Sequence, residues 1–281
     1  MIETAGAHQR ARRSPRVHGG HIGAALVVLT ALAALVSLIY TPHSPYTMHF
    51  EVRLAGPTPA HPLGTDQFGR DIASRLMVGA RTALLSGIVA VGVASLLGTT
   101  IGVLAGFVGG LLDEALMRVM DALYAFPALL LALLFAAIAQ PGLVSAMLAI
   151  GLAGVPIFGR LARASIYSLR ALPYAEAARA VGATPARVLL RHLLPNAMGP
   201  LIVQATQSFA LAILAEAALS FLGLGVQPPF PSWGSMLREA QSFLPLSPYP
   251  ALWPGLAIAL TVLGFSLLGD ALRDRLDPHH R

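Results

Sequence analysis

Six apolar runs set the strongest limit on what this chain can fold into. Each is long enough, at roughly 20 residues, to cross the hydrocarbon of a bilayer. Lipid offers no partner for backbone N–H and C=O groups, so such runs span the membrane as helices. We therefore predict an all-α integral membrane protein with six transmembrane helices. The predicted spans are 22–40, 82–108, 122–140, 142–159, 197–225 and 253–272.

Composition excludes several classes of function. Hydrophobic residues make up 56% of the chain and charged residues 11%, which is too apolar for a soluble domain. There is no cysteine, so neither a disulfide framework nor a thiolate metal site is available. There is also no lysine, which excludes a Walker A loop and the ATP chemistry that depends on it. No nucleophile motif occurs either, and we predict no catalytic residues.

The distribution of arginine predicts the orientation. The net charge is +6, but the arginines are spread along the chain instead of forming one basic face, so no nucleic-acid partner is expected. The positive-inside rule puts both termini in the cytoplasm, with residues 1–21 and 273–281 as tails. The arginines before the first run imitate a signal peptide, but the length of that run predicts a retained anchor.

Residues 41–81 would then form an extracytoplasmic loop. Phe68 and Ile72 begin an apolar stripe with a spacing of four, which predicts an amphipathic helix lying on the membrane. Its expected start is Thr65 or Asp66. Such a helix could close the outer end of the bundle or touch substrate, and the apolar stripe favours closure.

A folded cytosolic segment at 170–196 is the most informative part of the chain. Pro173 suits the first turn of a helix and Gly182 suits its left-handed end, which predicts a helix of about two turns. Thr184 can cap a second helix, and Pro195 would end that helix before the next apolar run. On these signals alone, a helix that only covers the cytosolic end of the bundle is an equally good interpretation.

The same segment resembles the EAA signature of membrane subunits of ATP-binding-cassette (ABC) importers. Glu176-Ala-Ala, Gly182 and Leu194-Pro195 stand at the spacing of that signature. His192 departs from the usual isoleucine, and a His-x-Leu-Pro-Asn version looks like the dipeptide, oligopeptide and nickel permeases. Residues 61–81 and the C-terminal third also resemble the C-type permeases of that family. The resemblance covers nearly the whole chain from residue 61 onward.

The resemblance implies a type I importer permease fold in a bacterial inner membrane, with residues 82–272 as a five-helix core. It also implies a second permease subunit in a heterodimer, two cytosolic ATPase subunits that hold ATP and magnesium, and a solute-binding protein that delivers a peptide. This chain would be a non-catalytic subunit and would bind no cofactor itself. The implied ATPase-coupling residues are Tyr174, Glu176, Ala177, Ala178, Gly182 and Pro195.

Glu216 is the one carboxylate placed well inside an apolar run. A charge within the membrane is costly, which favours a role in lining the translocation path or in an interhelix hydrogen bond. A partly solvated pairing with Arg238 or with the partner subunit is a further alternative. The other ionisable groups inside the spans are sparse, so no proton relay is expected.

Small residues and prolines predict how the helices meet. Glycines in the second span should let helix backbones approach each other closely. Pro127 and Pro156 could kink the third and fourth helices. The glycines in question are Gly87, Gly92, Gly98, Gly102, Gly106 and Gly109.

Two other functional classes stay open on the residues alone. An ion-coupled secondary carrier would need a coupling-ion site, and an assembly factor would need no solute path. The cargo stays open among dipeptides, longer peptides, glutathione and nickel chelates. No metal site is predicted, because the tail histidines His8, His279 and His280 lack a third spaced ligand.

Overall fold

The computed structural model describes residues 15–276, with side chains from residue 19 onward. The regular structure in that range is helical, apart from one antiparallel bridge between Thr65 and Asp71, which confirms the all-α class. Short 3₁₀ turns cover Phe50–Val52 and Gln241–Phe243. The helices are α1 (Pro15–Val36), α2 (Ile72–Val108), α3 (Gly110–Tyr124), α4 (Ala128–Ala139), α5 (Leu143–Leu169), α6 (Pro173–Ala180), α7 (Pro185–Val188), α8 (Leu194–Phe221), α9 (Trp233–Ala240) and α10 (Tyr249–Leu276).

The centre of the bundle is a glycine seam between α2 and α5, which form the most extensive helix contact of the described residues. A Cβ on Gly102 would overlap the carbonyl oxygen of Gly159. Gly98 and Gly106 lie one turn to either side and approach the α5 backbone in the same way. The packing prediction thus holds for these glycines, and for Gly87 against an aromatic ring. Gly92 makes no such contact within this chain, and Gly109 lies beyond the end of α2, so the prediction is wrong for Gly109 as a residue of that helix.

The predicted third span is not one straight helix. It is divided between α3 and α4, whose axes differ by 84°. Pro127 stands at the break as the N-cap residue of α4, where it has no N–H to continue α3. By contrast, α5 continues through Pro156.

The bent pair of α3 and α4 nevertheless joins opposite ends of the bundle. It starts at the end of α2, which lies beside the end of α5 because Arg170 Nη1 donates to the Gly106 carbonyl at 2.9 Å. The pair ends at the start of α5, where the Gly142 amide donates to the Leu224 carbonyl just after α8, at 3.3 Å. The pair therefore crosses the bundle once. Together with the five described helices that are long and apolar enough to span a membrane, it gives six candidate passes, the number predicted.

The loop before α2 differs from its prediction. Ile72 begins α2 directly, and Asp71 is its N-cap, accepting from the Ser74 amide at 2.8 Å. The separate amphipathic helix expected from Thr65 or Asp66 is therefore wrong. The capping carboxylate and an unbroken helix of 37 residues, about 55 Å long, make 72–81 the first turns of the helix that forms the second span.

Other boundaries shift by a few residues to a few turns. The first span ends at Val36 instead of residue 40, and α5 extends to Leu169 instead of residue 159. The outer ends of the tails predicted at 1–21 and 273–281, including His8, His279 and His280, lie outside the described residues. Gly20 approaches Ala271, so the described ends of α1 and α10 meet at the same end of the bundle.

Candidate functional site

Helix α6 has the start and the end that its residues predict. Pro173 occupies its first turn. After its end, Gly182 adopts φ of +83°. The amide of Gly182 donates to the Arg179 carbonyl at 2.9 Å, and the next amide reaches back to Ala178 at 3.1 Å, which is a Schellman motif. The chain thus turns sharply at a left-handed residue, and α7 begins at once.

The second helix of the segment starts as predicted but does not end as predicted. The Thr184 hydroxyl accepts from the Arg187 amide at 3.4 Å. From there α7, a π-helical turn at Leu189–Leu193 and α8 run on as one helix, so the prediction that Pro195 ends it is wrong. In a regular α-helix the proline ring would clash with the carbonyl four residues earlier, and the wider π turn occupies that position.

One side of the segment is fixed to the bundle. Ala175, Val188 and Leu193 are fully buried in an apolar cluster that also holds Ile166 of α5 and Val103 of α2. A displacement of α6 would therefore press on α2, α5 and the start of α8, because all of them pack in the same cluster.

The other side of the segment is open. Glu176 and Ala177 are exposed, Tyr174 is 37% exposed and Val181 is 85% exposed. The two alanines of the signature do not share this face, because Ala178 is half-buried against the apolar cluster. An exposed surface of small and apolar side chains beside charged ones suits a protein partner.

A cavity of about 480 Å³ lies beneath α6 and is lined by Glu176, Arg179, Pro185 and Arg170, among others. Arg179 donates to the Arg170 carbonyl at 3.4 Å, and Arg170 in turn holds the last carbonyls of α2. A positive charge near the C-terminus of a helix stabilises that helix, because it offsets the partial negative charge of the last carbonyls. The arginines therefore connect α6 to the ends of both central helices.

Glu216 is fully buried within its own chain. Its carboxylate accepts from the Ser220 hydroxyl at 2.6 Å. That hydroxyl also accepts from the Val226 amide at 3.1 Å, so the group fixes the turn after α8. The pairing with Arg238 is not found among the described ion pairs, and the Arg238 guanidinium lies instead against Gly223.

A buried charge network at the opposite end of the bundle was missed in the sequence. Arg70 pairs with Asp66 at 2.6 Å and also with Glu239. Arg75, which is 1% exposed, approaches Glu239 at 3.2 Å. Trp233 adds a hydrogen bond to a carbonyl of α2. The loop after α1 is thereby joined to α9. The one sign of this network in the sequence is the pair of opposite charges at Asp66 and Arg70, four residues apart.

Comparison with known proteins decides the class. Residues 98–281 match the family described as binding-protein-dependent transport system inner membrane component. This chain belongs to that family. The permease is 48% identical over 226 residues to the dipeptide transport system permease protein DppC of Alkalihalophilus pseudofirmus, covering 80% of this chain and 74% of the relative. It is 40% identical over 272 residues to the glutathione transport system permease protein GsiD of Escherichia coli O6:K15:H31, covering 96% and 90%.

A solved structure agrees on the fold of the permease. The MetNI methionine ABC transporter, described in inward-facing conformations, matches with a TM-score of 0.59 over 72% of this chain and 96% of the other. At 19% identity this likeness concerns the fold alone. The type I permease fold, the importer family and the inner-membrane location are confirmed. The orientation of the termini and the roles of the coupling residues stay predictions.

Proposed function

We propose that this permease forms, with a second permease subunit, the translocation path of an ATP-driven importer of short peptides. A solute-binding protein would deliver the peptide from outside. Relatives named for dipeptide and for glutathione transport support this cargo class, since glutathione is itself a short peptide. Nickel chelates are the weaker alternative.

The observation that carries the proposal is the two-sided coupling segment around α6. Its exposed side, with Tyr174, Glu176 and Ala177, would lie in a groove of a cytosolic ATPase, as helices commonly bind partners. ATP and magnesium would be held by two such ATPase subunits, because this chain contains no lysine for a phosphate loop. This requires α6 to face the cytosol, as the arginine distribution predicts.

The buried side would transmit the movement. When the ATPases close, α6 would shift, and the contacts of Ala175 and Val188 would pass that shift to α5 and α2. The joint at Gly182 and the continuous helix from α7 into α8 would carry it into the path. Such coupling works only if the ATP-bound pair favours one arrangement of the bundle over the other.

Glu216 has a structural part in this scheme. Its carboxylate is enclosed by its own chain and accepts from the Ser220 hydroxyl one turn later in α8, which favours a structural hydrogen bond over the path-lining alternative. A proton-coupled role would instead call for an accessible chain of ionisable groups.

Single cysteines test the docking of α6, and the natural chain contains none. We expect Ala177→Cys, in the assembled importer, to cross-link to the ATPase subunits with a short thiol-to-amine reagent. The matched control is Ala60→Cys, an exposed alanine in the loop at the other end of the bundle, which should give no such product. Equal cross-linking from both positions, or from neither, would contradict the docking.

The cargo is tested with the importer in liposomes that enclose ATP. We expect the solute-binding protein loaded with dipeptide or with glutathione to stimulate both ATP hydrolysis and uptake. Uptake by this chain and the second permease alone, without ATPase subunits, would instead support the ion-coupled carrier.

A further inference from the structure

Three side chains with metal-ligating atoms meet in the loop before α2. They are His43, which follows α1, His61 in the middle of the loop, and Asp71 at the N-cap of α2. One ligand atom from each lies within 4.8 Å of the others. The sequence gives no sign of this cluster, because 18 and 10 residues separate these positions and only the folded loop brings them together.

The distances are close to those of a coordination shell. Nδ1 of His61 lies 2.9 Å from Oδ1 of Asp71, and Nδ1 of His43 lies 3.8 Å from the same oxygen. A tetrahedral zinc ion, about 2.0–2.1 Å from each ligand, would hold them about 3.4 Å apart. Shifts of about half an ångström would bring both histidine nitrogens to that distance from the Asp71 oxygen, and the two histidine ligand atoms lie within 4.8 Å of each other. The two imidazole rings already lie side by side, with centroids 4.5 Å apart and planes tilted by 38°.

The surroundings hold these ligands in position. The second oxygen of Asp71 accepts from both the amide and the hydroxyl of Ser74, at 2.8 and 2.7 Å. The same hydroxyl accepts from the His43 amide at 2.9 Å. Metal ligands in proteins are commonly oriented by hydrogen bonds from neighbouring groups, and Ser74 supplies such bonds to Asp71.

An ion can also reach the cluster. A cavity of about 290 Å³ opens onto it, and His49 and Glu51 line the same cavity. The Asp71 side chain is fully buried, while that of His43 is 43% exposed. The cluster thus combines a buried carboxylate, Asp71, with an accessible imidazole, His43, and the cavity leaves space for a fourth ligand.

We propose that His43, His61 and Asp71 bind one divalent transition-metal ion of the zinc type, which clips the segment after α1 and the loop to the start of α2. Two imidazoles and one carboxylate form a donor set that suits such ions, and they leave a fourth position open for water. The simpler alternative is a hydrogen-bonded His61–Asp71 pair without metal, and it makes a different prediction in each measurement below. The proposal does not depend on the transported cargo.

Zinc binding to the assembled importer tests the clip. The complex is purified without a polyhistidine tag and with His8, His279 and His280 replaced by alanine, so that the tails bind no metal. Zinc is then titrated in competition with a chromophoric chelator. We expect His43→Ala and His61→Ala each to lose one bound zinc per complex, or to weaken it at least tenfold. The matched control His192→Ala, near the opposite end of the bundle, should bind zinc as the parent does.

Two further measurements exclude a folding artefact. Zinc should raise the melting temperature of the parent and of His192→Ala but not that of His43→Ala, whose side chain makes no close hydrogen bond that its loss would remove. X-ray absorption at the zinc edge should report two imidazole ligands at about 2.0–2.1 Å. Equal stoichiometry and affinity in all variants, or a zinc shell without two imidazoles, would overturn the proposal.

Discussion

At the scale of single residues, Gly182 shows a backbone requirement free of packing effects. Its φ is +83°, and a Cβ added there would meet nothing within 4 Å. A substitution at this position therefore acts through the left-handed backbone alone. An L-residue with a branched Cβ is disfavoured in that conformation by about 1–2 kcal/mol or more, whereas asparagine tolerates it.

We expect Gly182→Val to separate ATP hydrolysis from transport, because a strained joint would no longer hold α6 at a fixed angle to α7. The measurement is the ratio of peptide taken up to ATP hydrolysed in liposomes, which should fall several-fold. Gly182→Asn is the matched control and should stay near the parent ratio. If both variants behave like the parent, the joint does not carry the movement.

Glu216 gives a second prediction at this scale. Because its carboxylate accepts the Ser220 hydroxyl inside the chain, Glu216→Gln, which keeps an acceptor, should retain both uptake and melting temperature. Glu216→Leu leaves that hydroxyl without its acceptor and should lower stability by about 1–3 kcal/mol. A loss of uptake in Glu216→Gln at an unchanged melting temperature would instead show that the side chain lines the path.

At the scale of helices, close backbone approach between α2 and α5 holds the centre of the bundle together. In lipid, helix association depends on packing and not on expulsion of water, so a seam of small residues matters more than an apolar surface would. Gly102 faces the α5 backbone, whereas Gly92, ten residues earlier in the same helix, faces open space. The two positions form a natural matched pair.

We expect Gly102→Leu to reduce the amount of folded permease extracted in detergent and to lower its melting temperature, since overpacking costs about 1–3 kcal/mol and here the obstacle is backbone. Gly92→Leu adds the same side chain to the same helix and should cost little. A lower melting temperature for Gly92→Leu than for Gly102→Leu would mean that Gly102 does not lie in the contact between α2 and α5.

The helices also show which features a sequence can reveal. Pro173, Gly182 and Thr184 act on their own neighbours, so the ends of α6 and the start of α7 were predictable. The start of α2 was missed although its cap is also local, since Asp71 accepts from the amide three residues later as Thr184 does; only the contact of Asp71 with His61 needs the folded loop. The charged contacts of α9 with Arg70 and Arg75 were missed because they join positions far apart in the sequence.

At the scale of the whole molecule, the bend between α3 and α4 decides how the chain is threaded. If the pair crosses once, there are six passes, and the loop after α1 lies on the opposite side of the membrane from α6. If the pair turned back instead, five passes would put that loop and α6 on the same side. The contacts of Arg170 at one end and Leu224 at the other favour six.

A membrane-impermeant thiol reagent applied to intact cells distinguishes the two threadings. In cells that express the permease subunits without their ATPases, so that docking does not shield α6, we expect Ala60→Cys to be labelled and Ala177→Cys to be labelled only after the cells are opened, because the arginine distribution puts α6 inside. Both alanines are exposed in the folded chain, so burial within the permease cannot protect either one. Labelling of both positions in intact cells would require a re-entrant pair and an external α6, which no cytosolic ATPase could reach.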